Sequence, residues 1–422
     1  MKAASEDRPS VARPLRSLGP GVAATALMLL LLGAWLRGNS QGSLVSPGPD
    51  EIFYANYYTK NVATRGLAVL PTLFRDYIGY MEQPGRQLVL PPGRLTFTLH
   101  SAVLSRLGVG THLDAVRKAA YHGSVAFLLM GALFLLRWFP SPVALPALAW
   151  LACAPLQIHL AHRALIDGYF AAIGLACLWA LWESVQPGAH RGWSAALAGS
   201  VAALVLTKEN SVFLLAALGA GLLWLQLCEG WRHRRFWEAW AALALGALLA
   251  AGVLIAAAGD VATLVTAYRL NVQKSYTHPY AILTGDGPLH RYLLDLLCVN
   301  PAVTLLALGG LWEFRADPQR PRGYLVRFLA LSWIAMSSVR YAMNLRYGLV
   351  WDLPLCLLAA LLVERWVRTL VSSERRRAWM LAAVTTAVAA SSLSAYATLF
   401  AGRHIYDPVP EALTRAWRIL KS

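Results

Sequence analysis

The sequence predicts an all-α, polytopic membrane protein with about eleven transmembrane helices. Of its 422 residues, 57% are hydrophobic and only 14% are charged, whereas a soluble globular chain averages about 25% charged residues. Apolar runs of about 15–22 residues recur along the chain and are long enough to cross a bilayer as helices. This composition excludes a disordered chain, a secreted disulfide scaffold and an ordinary soluble enzyme.

The apolar runs define the transmembrane helices in chain order. We interpret the first run as a retained anchor, because Arg37 follows it where a cleavable signal would end in small residues. Gly and Ala are frequent within the runs, which favours close packing of helices. The predicted spans are 19–37, 119–137, 142–158, 168–184, 193–206, 211–228, 238–258, 291–312, 325–339, 347–363 and 378–400.

The segment 91–112 is excluded from the spans, because Arg94, His100 and Arg106 make it a poor transmembrane helix. Its apolar residues recur at helical spacing, which predicts an amphipathic helix in the plane of the interface. With this exclusion, the main basic clusters all fall on one side, as the positive-inside rule requires. These clusters are Arg8/Arg13/Arg16, Arg232/Arg234/Arg235, Arg315/Arg320/Arg322 and Arg375/Arg376/Arg377.

The resulting topology has one membrane domain. A cytoplasmic tail, 1–18, precedes the membrane domain, 19–400, and an extracytoplasmic tail, 401–422, follows it. Two long loops, 38–116 and 259–290, lie outside, and the first carries the in-plane helix. Burying a carboxylate in lipid costs free energy, so a membrane chain keeps few acids that it does not need. The positions of the 22 acids therefore point to function, above all those on the outer face.

Two adjacent acids, Asp50 and Glu51, follow the first span in the long outside loop. Adjacent carboxylates raise each other's pKa and can accept a proton or bind a cation. The Pro49–Asp50 pair is also typical of a turn or of a helix start. Spacing alone favours this second interpretation.

A second acid lies in the short outside loop that contains Arg163 and Asp167. The two residues are one helical turn apart and could pair with each other. The functional alternative is a phosphate contact from Arg163 and a proton-acceptor or cation contact from Asp167. The neighbouring histidines, His159 and His162, are more typical of helix interfaces than of ligands.

Basic residues persist in short outside loops, where the positive-inside rule disfavours them. Lys208 lies between two spans and either pairs with Glu209 or binds phosphate. Arg346 and Tyr347 precede a later span. Their retention indicates an anionic partner, such as a lipid-linked phosphate.

Other classes of function have no support. The net charge is +16, but the basic residues lie between apolar runs and form no single patch with aromatic residues among them. No nucleic-acid partner is therefore predicted. The five cysteines lie in or beside apolar segments without metal-ligand spacing and are typical of core residues. Motifs of ATP-driven transport and of serine or zinc hydrolysis are absent from the sequence.

The order of these motifs resembles the GT-C membrane glycosyltransferases. The acidic pair, Pro91–Pro92 before the in-plane helix, the Arg-Ala-Leu-x-Asp loop, the Leu-Thr-Lys-Glu junction and a late Arg-Tyr occur in that order. Within GT-C, the pattern is most similar to the protein O-mannosyltransferase and aminoarabinose transferase group (glycosyltransferase family 39-like). The resemblance covers roughly 20–365.

The resemblance implies an extracytoplasmic active site and a polyprenyl-phosphate-linked sugar donor. It assigns catalytic roles to Asp50, Glu51 and Asp167, with Asp50 as general base, and phosphate contacts to Arg163, Lys208, Arg346 and Tyr347. Asp50 and Asp167 are the candidate ligands of a divalent cation, the one cofactor considered. Leu90 stands where the family often has a basic residue, so Arg86 or Arg94 is expected to make that phosphate contact.

The predicted acceptor is a hydroxyl of a lipid, a glycan or a protein, and the style of the sequence suits a bacterial inner membrane. The competing hypothesis is a secondary transporter or lipid flippase. Transporters place ionisable residues near the bilayer midplane. Therefore Asp167, Asp295 and Asp352 at mid-membrane would favour transport, and the same acids beside Asp50 on one rim would favour sugar transfer.

Overall fold

The computed structural model describes residues 18–39, 46–83, 89–278, 282, 285, 287–313, 321–339 and 343–406. All regular structure within these ranges is helical. Arg8, Arg13, Arg16, Arg86, Arg315 and Arg320, which entered the predictions, lie outside the described residues. Helices α1–α9 are Pro20–Gly38, Pro49–Phe53, Lys60–Arg65, Leu70–Met81, Leu95–Arg106, His112–Trp138, Ser141–Ala152, Pro155–His162 and Asp167–Ser184. Helices α10–α18 are Gly192–Val205, Ser211–Glu229, Arg234–Ala258, Val261–Thr277, Arg291–Val299, Pro301–Glu313, Pro321–Ser337, Asp352–Leu370 and Glu374–Tyr396.

The chain is an integral membrane protein. Six helical segments of its described part are long and apolar enough to cross a membrane, and the bent pair α7–α8 counts as a seventh if it forms one span. Helices lie on all eleven predicted runs, so the helical assignments are confirmed, while the number of spans stays a prediction. The six segments are Pro20–Gly38, His112–Trp138, Ser211–Glu229, Arg234–Ala258, Leu345–Leu370 and Glu374–Gly402.

Two hydrophobic clusters hold the molecule together. The larger cluster fills the helix bundle and contains the fully buried rings of Trp150 and Trp351. The second cluster lies beneath the first loop, where Tyr54, Phe74 and Phe97 pack against α6 and α12. The first loop is therefore anchored on the bundle by its own apolar core.

The predicted in-plane helix is α5, which spans only 12 residues and is too short to cross a bilayer. It packs along α6 and buries Leu95, Phe97 and Ala102. Val103 and Leu107 remain 53% and 74% exposed. The predicted helix is therefore confirmed, and its length agrees with its exclusion from the spans.

The predicted span 142–158 is broken into α7 and α8, which are bent by 43°. Pro155 starts α8, where the missing amide hydrogen of proline is tolerated. The guanidinium of Arg37 satisfies the end of α7 by donating to the carbonyl oxygens of Leu151 (3.0 Å) and Ala152 (2.8 Å). Arg37 is 1% exposed. This residue was expected only to flank the first span, but its side chain stabilises the break between α7 and α8.

Candidate active site

The acidic pair lies on the short helix α2, which begins at Pro49. The two carboxylates differ sharply in exposure, because the Asp50 side chain is 35% exposed and that of Glu51 is fully buried. One Glu51 oxygen accepts a hydrogen bond of 2.6 Å from the backbone N–H of Gly48, which closes the first turn of α2. Only Asp50 of this pair is open to a substrate.

Arg163 and Glu51 form a buried ion pair, with 2.6 Å between Nη2 and Oε2. The other Glu51 oxygen accepts a hydrogen bond of 2.7 Å from the backbone N–H of Ala164. The sequence left open whether Arg163 pairs with Asp167, four residues later. Arg163 instead pairs with Glu51, which precedes it by 112 positions. Glu51 therefore joins the α2 turn to the loop between α8 and α9.

Asp167 is the first residue of α9 and is 2% exposed. Its Oδ1 lies 2.5 Å from the ammonium nitrogen of Lys208, which comes from the turn between α10 and α11 and is itself 2% exposed. The ammonium also lies 3.9 Å from the ring centroid of Tyr347. Asp167, Lys208 and Tyr347 thus meet at one point.

Arg346 lies between two acids. Its Nη1 is 3.6 Å from Oδ2 of Asp50, and its Nε is 4.0 Å from Oδ2 of Asp167. The Asn344 side chain accepts a hydrogen bond from the Arg346 backbone N–H and starts the 3₁₀ helix Leu345–Trp351 that carries Arg346. The exposed carboxylate and the buried one therefore face the same guanidinium.

Arg94, predicted as a phosphate contact, is held by protein groups. Its guanidinium makes a two-pronged contact with the Glu209 carboxylate, and its Nη1 donates to the Tyr54 hydroxyl at 2.6 Å. Thr96, two residues on, reaches the Lys208 turn through its backbone N–H, which donates to the Leu206 carbonyl at 3.1 Å. Arg94 and its neighbours thus fix the turn that presents Lys208.

Burial and neighbouring charges set the ionisation of this turn. Burial lowers the pKa of Lys208 to about 8, because desolvation penalises the ammonium more than nearby Asp167 stabilises it. Burial alone would raise the pKa of Glu209, but the Arg94 guanidinium outweighs it and holds that pKa below its ordinary value. Both ion pairs are therefore charged near neutral pH.

Cationic side chains already face the two carboxylates of the predicted metal site. Among the described residues, no three His, Cys, Asp or Glu side chains converge closely enough to hold a metal ion. Asp50 and Asp167 face the Arg346 guanidinium, and Asp167 also faces Lys208, so positive charge already lies where a cation would bind. The divalent cation at Asp50 and Asp167 therefore stays a prediction, and we derive no step through it.

Some residues of the site were not assigned by the sequence. The sequence predicts Glu209 only as a possible partner of Lys208, and it assigns no role to Tyr54, which stands four residues after Asp50. The two histidines are buried and contact protein groups. His159 stacks on Phe400 at 4.2 Å, and His162 contacts the Leu36 carbonyl oxygen at 3.0 Å.

Comparison with known proteins shows similarity in structure alone. No protein-family model and no curated protein sequence matches the chain. ArnT from Cupriavidus metallidurans, solved with bound undecaprenyl phosphate, superimposes with a TM-score of 0.59 at 16% identity, covering 91% of this chain and 77% of ArnT. The Archaeoglobus fulgidus oligosaccharyltransferase, in a complex with Zn and sulfate, gives 0.61 at 12% identity, covering 90% and 53%. This chain has the GT-C fold.

The archaeal oligosaccharyltransferase AglB from Archaeoglobus fulgidus, in a complex with an inhibitory peptide and a dolichol-phosphate, gives a TM-score of 0.57 at 11% identity. That alignment covers 92% of this chain and 56% of AglB, so this chain spans about half the length of the oligosaccharyltransferase. Identities of 11–16% establish the GT-C fold and do not establish a substrate. The fold class that the resemblance implied is confirmed.

Proposed function

We propose that this protein is a glycosyltransferase that moves a sugar from a polyprenyl-phosphate donor to an acceptor hydroxyl at the extracytoplasmic face of the membrane. The observation that carries the proposal is the position of Arg346, within 4.0 Å of one partly exposed and one buried carboxylate. An open base beside fixed positive charge is what such a reaction requires. Undecaprenyl phosphate and dolichol-phosphate, which are bound in the GT-C neighbours, support the donor class.

In the proposed reaction, Asp50 takes the proton of the acceptor hydroxyl while the hydroxyl oxygen attacks the anomeric carbon. The bond between that carbon and the phosphate oxygen breaks, and polyprenyl phosphate leaves with one additional negative charge. Asp50 is suited to this role because its side chain is 35% exposed. The protonated carboxyl returns its proton to water once the product has left.

Lys208 and Arg346 stabilise the phosphate that leaves. Both are held by Asp167, and both are less than one-tenth exposed, so their charges act in a medium of low dielectric constant. The Tyr347 ring packs against the Lys208 ammonium and helps to hold it in place. Arg163 and Glu51 neutralise each other, and we assign them the positioning of α2 and of Asp50.

The competing hypothesis of a transporter or flippase requires acids at the membrane midplane. Asp167 instead approaches the same guanidinium as Asp50, which lies on a helix of the first loop. Asp295 has its own neighbour in Arg291, 3.8 Å away on α14, and Asp352 begins α17. The placement of Asp167 favours sugar transfer.

The decisive test compares two Asp→Asn variants of the first loop in membranes supplied with radiolabelled polyprenyl-phosphate sugars. Asp50→Asn is expected to lose transfer by about 10²–10⁴-fold, because the acceptor hydroxyl then lacks a base. Asp76→Asn is the matched control, since Asp76 is exposed on α4 and contacts Tyr57. Wild-type transfer by Asp50→Asn would remove Asp50 from the role of base.

The donor sugar and the acceptor follow from mass spectrometry of envelope glycans and glycolipids from a deletion strain. We expect one glycan or glycolipid to lose a sugar in the deletion strain and to regain it when the wild-type chain is restored. The Asp50→Asn chain is expected not to restore it. A profile that does not change on deletion would contradict the proposal.

A further inference from the structure

The chain does not leave the site after its last long helix. A π-helical turn, Ala397–Gly402, follows α18, and the backbone then folds back on this turn. The N–H of Arg403 donates to the Thr398 carbonyl at 3.1 Å, and the N–H of Ile405 donates to the Leu399 carbonyl at 3.2 Å. Ile405 is only 6% exposed. Ile405 is therefore packed against the bundle, and Tyr406 follows it.

Tyr406 contacts the loop between α8 and α9. Its ring centroid lies 4.5 Å from the guanidinium carbon of Arg163, the distance of a cation–π interaction. Its carbonyl oxygen accepts a hydrogen bond of 3.0 Å from Nε2 of His159. The His159 ring stacks on Phe400, at an interplanar angle of 17°, so the two histidine contacts tie the π-helical turn and Tyr406 to α8.

Tyr406 also packs on the start of α2. A β-carbon added to Gly48 would lie 2.5 Å from two ring carbons of Tyr406 and 2.7 Å from its hydroxyl oxygen, closer than any real contact. The Gly48 φ angle of −74° is open to every residue, so the backbone conformation does not require glycine here. The aromatic ring is what leaves no room for a side chain at this position.

We infer that Tyr406 is a positioning residue for the base of the active site. Its ring is inserted between Arg163 and Gly48, and these two hold the Glu51 carboxylate by an ion pair and a backbone hydrogen bond. Asp50 stands beside Glu51 on the same helical turn. This inference rests on the proposed function and extends it to the segment that follows α18, to which the sequence analysis assigned no role.

The inference predicts a change in kcat with little change in the KM of the donor. The Tyr406 ring contacts Arg163 and Gly48, whereas Lys208 and Arg346 bind the donor phosphate in the proposed reaction. A displacement of about 1 Å of a reacting group can cost about 10²-fold in rate. We therefore expect Tyr406→Leu to lower kcat by about 10–100-fold and to leave the donor KM within about twofold.

Conservative and control variants separate positioning from general destabilisation. Tyr406→Phe keeps the ring face on Arg163 and is expected to restore most of kcat. Trp379→Leu, which removes a ring that is 70% exposed on the same helix α18, is expected to change neither parameter. Equal losses in Tyr406→Leu and Tyr406→Phe, or a raised donor KM at unchanged kcat, would overturn the inference.

A double-mutant cycle gives a second measurement that does not depend on Tyr406→Leu folding. Gly48→Ala is expected to lower kcat about tenfold in the wild-type background, because the new methyl group displaces the ring. In a Tyr406→Ala background the same change should have almost no further effect. Additive losses would show that the ring does not act through Gly48 and would contradict the inference.

The outcome can be distinguished from a failure of the proposed function. If Asp50→Asn transfers sugar at the wild-type rate, the proposed function fails, whatever Tyr406 does. If Asp50→Asn is inactive while Tyr406→Leu keeps the wild-type kcat, only the inference about Tyr406 fails. All variants are compared as full chains in membranes at equal amounts of folded protein, measured by size-exclusion chromatography in detergent.

Discussion

The Lys208 ammonium lies 2.5 Å from the Asp167 carboxylate, and both side chains are almost completely buried. The pair joins the start of α9 to the turn before α11. A buried pair of this kind gains little net stability, because the desolvation of both ions offsets their attraction. Its value is that it keeps a positive charge at a fixed point, ready for a phosphate that leaves.

The first prediction concerns the alkaline limb of the reaction. Because the Lys208 pKa is about 8 rather than the ordinary 10.5, we expect kcat/KM to fall as the pH rises through about 8. Lys208→Arg stays charged over the whole range measured and should move this limb to higher pH. Rates are measured from pH 6 to pH 10 with a fixed donor. A limb at the same pH in both proteins would contradict the assignment.

Deprotonation of Lys208 does not itself unfold the protein at alkaline pH, so unfolding caused by Lys208 would not explain the fall in kcat/KM. A lysine whose pKa is lowered in the folded state binds fewer protons there than in the unfolded chain between pH 8 and pH 10.5. The contribution of Lys208 to the free energy of unfolding therefore rises with pH in this range. A melting temperature recorded over the same pH range serves as the control.

The second prediction concerns Arg94, for which the sequence and the structure suggest different roles. A phosphate contact was expected, but Glu209 and Tyr54 occupy the guanidinium. Arg94→Met leaves the Glu209 carboxylate without its partner and should cost about 3 kcal/mol, the lower end of the range for buried pairs, because Glu209 keeps 21% of its side-chain exposure. The melting temperature in detergent reports this loss.

The double variant Arg94→Met/Glu209→Gln decides between the two roles. If Arg94 stabilises the Lys208 turn, removing the orphaned charge should recover most of the lost melting temperature and of the donor KM. If Arg94 binds the donor phosphate, the KM stays high although the melting temperature recovers. The second result would support the phosphate contact that the sequence predicts.

The sequence predicted the helices well, because each apolar run is a local signal of length and hydropathy. It missed the break between α7 and α8, although Pro155 provided a local indication of it. The role of Arg37 had no local signal. Its acceptors, Leu151 and Ala152, are more than a hundred positions away, and only the tertiary structure brings them together.

The members of the site were predicted better than their roles. The motifs at Asp50, Asp167, Lys208 and Arg346 were placed on one face by topology, and the structure brings these four together. The sequence could not separate Asp50 from Glu51, because adjacent residues share every local property. Exposure separates them, and it depends on Arg163 and Ala164, which lie more than a hundred positions further on.

The last prediction concerns metal dependence. Arg346 and Lys208 already place two positive charges against Asp50 and Asp167, so an added cation would have to displace them. We therefore expect membranes treated with EDTA to keep at least about half of their transfer activity, since fixed cationic groups can supply the stabilisation of developing charge. A loss that Mg²⁺ or Mn²⁺ restores would instead support the metal at Asp50 and Asp167 that the sequence predicts.

Arg346→Gln makes this test sharper. The neutral amide should lower transfer by about 10²–10³-fold, because a group that stabilises the leaving phosphate is lost. It also frees both carboxylates from the guanidinium, and carboxylates are preferred ligands of Mn²⁺. Mn²⁺ should therefore recover part of the activity of Arg346→Gln and have little effect on the wild-type protein. If Mn²⁺ raises the activity of neither protein, or of both the variant and the wild type, the Arg346 guanidinium does not occupy the position of a catalytic cation.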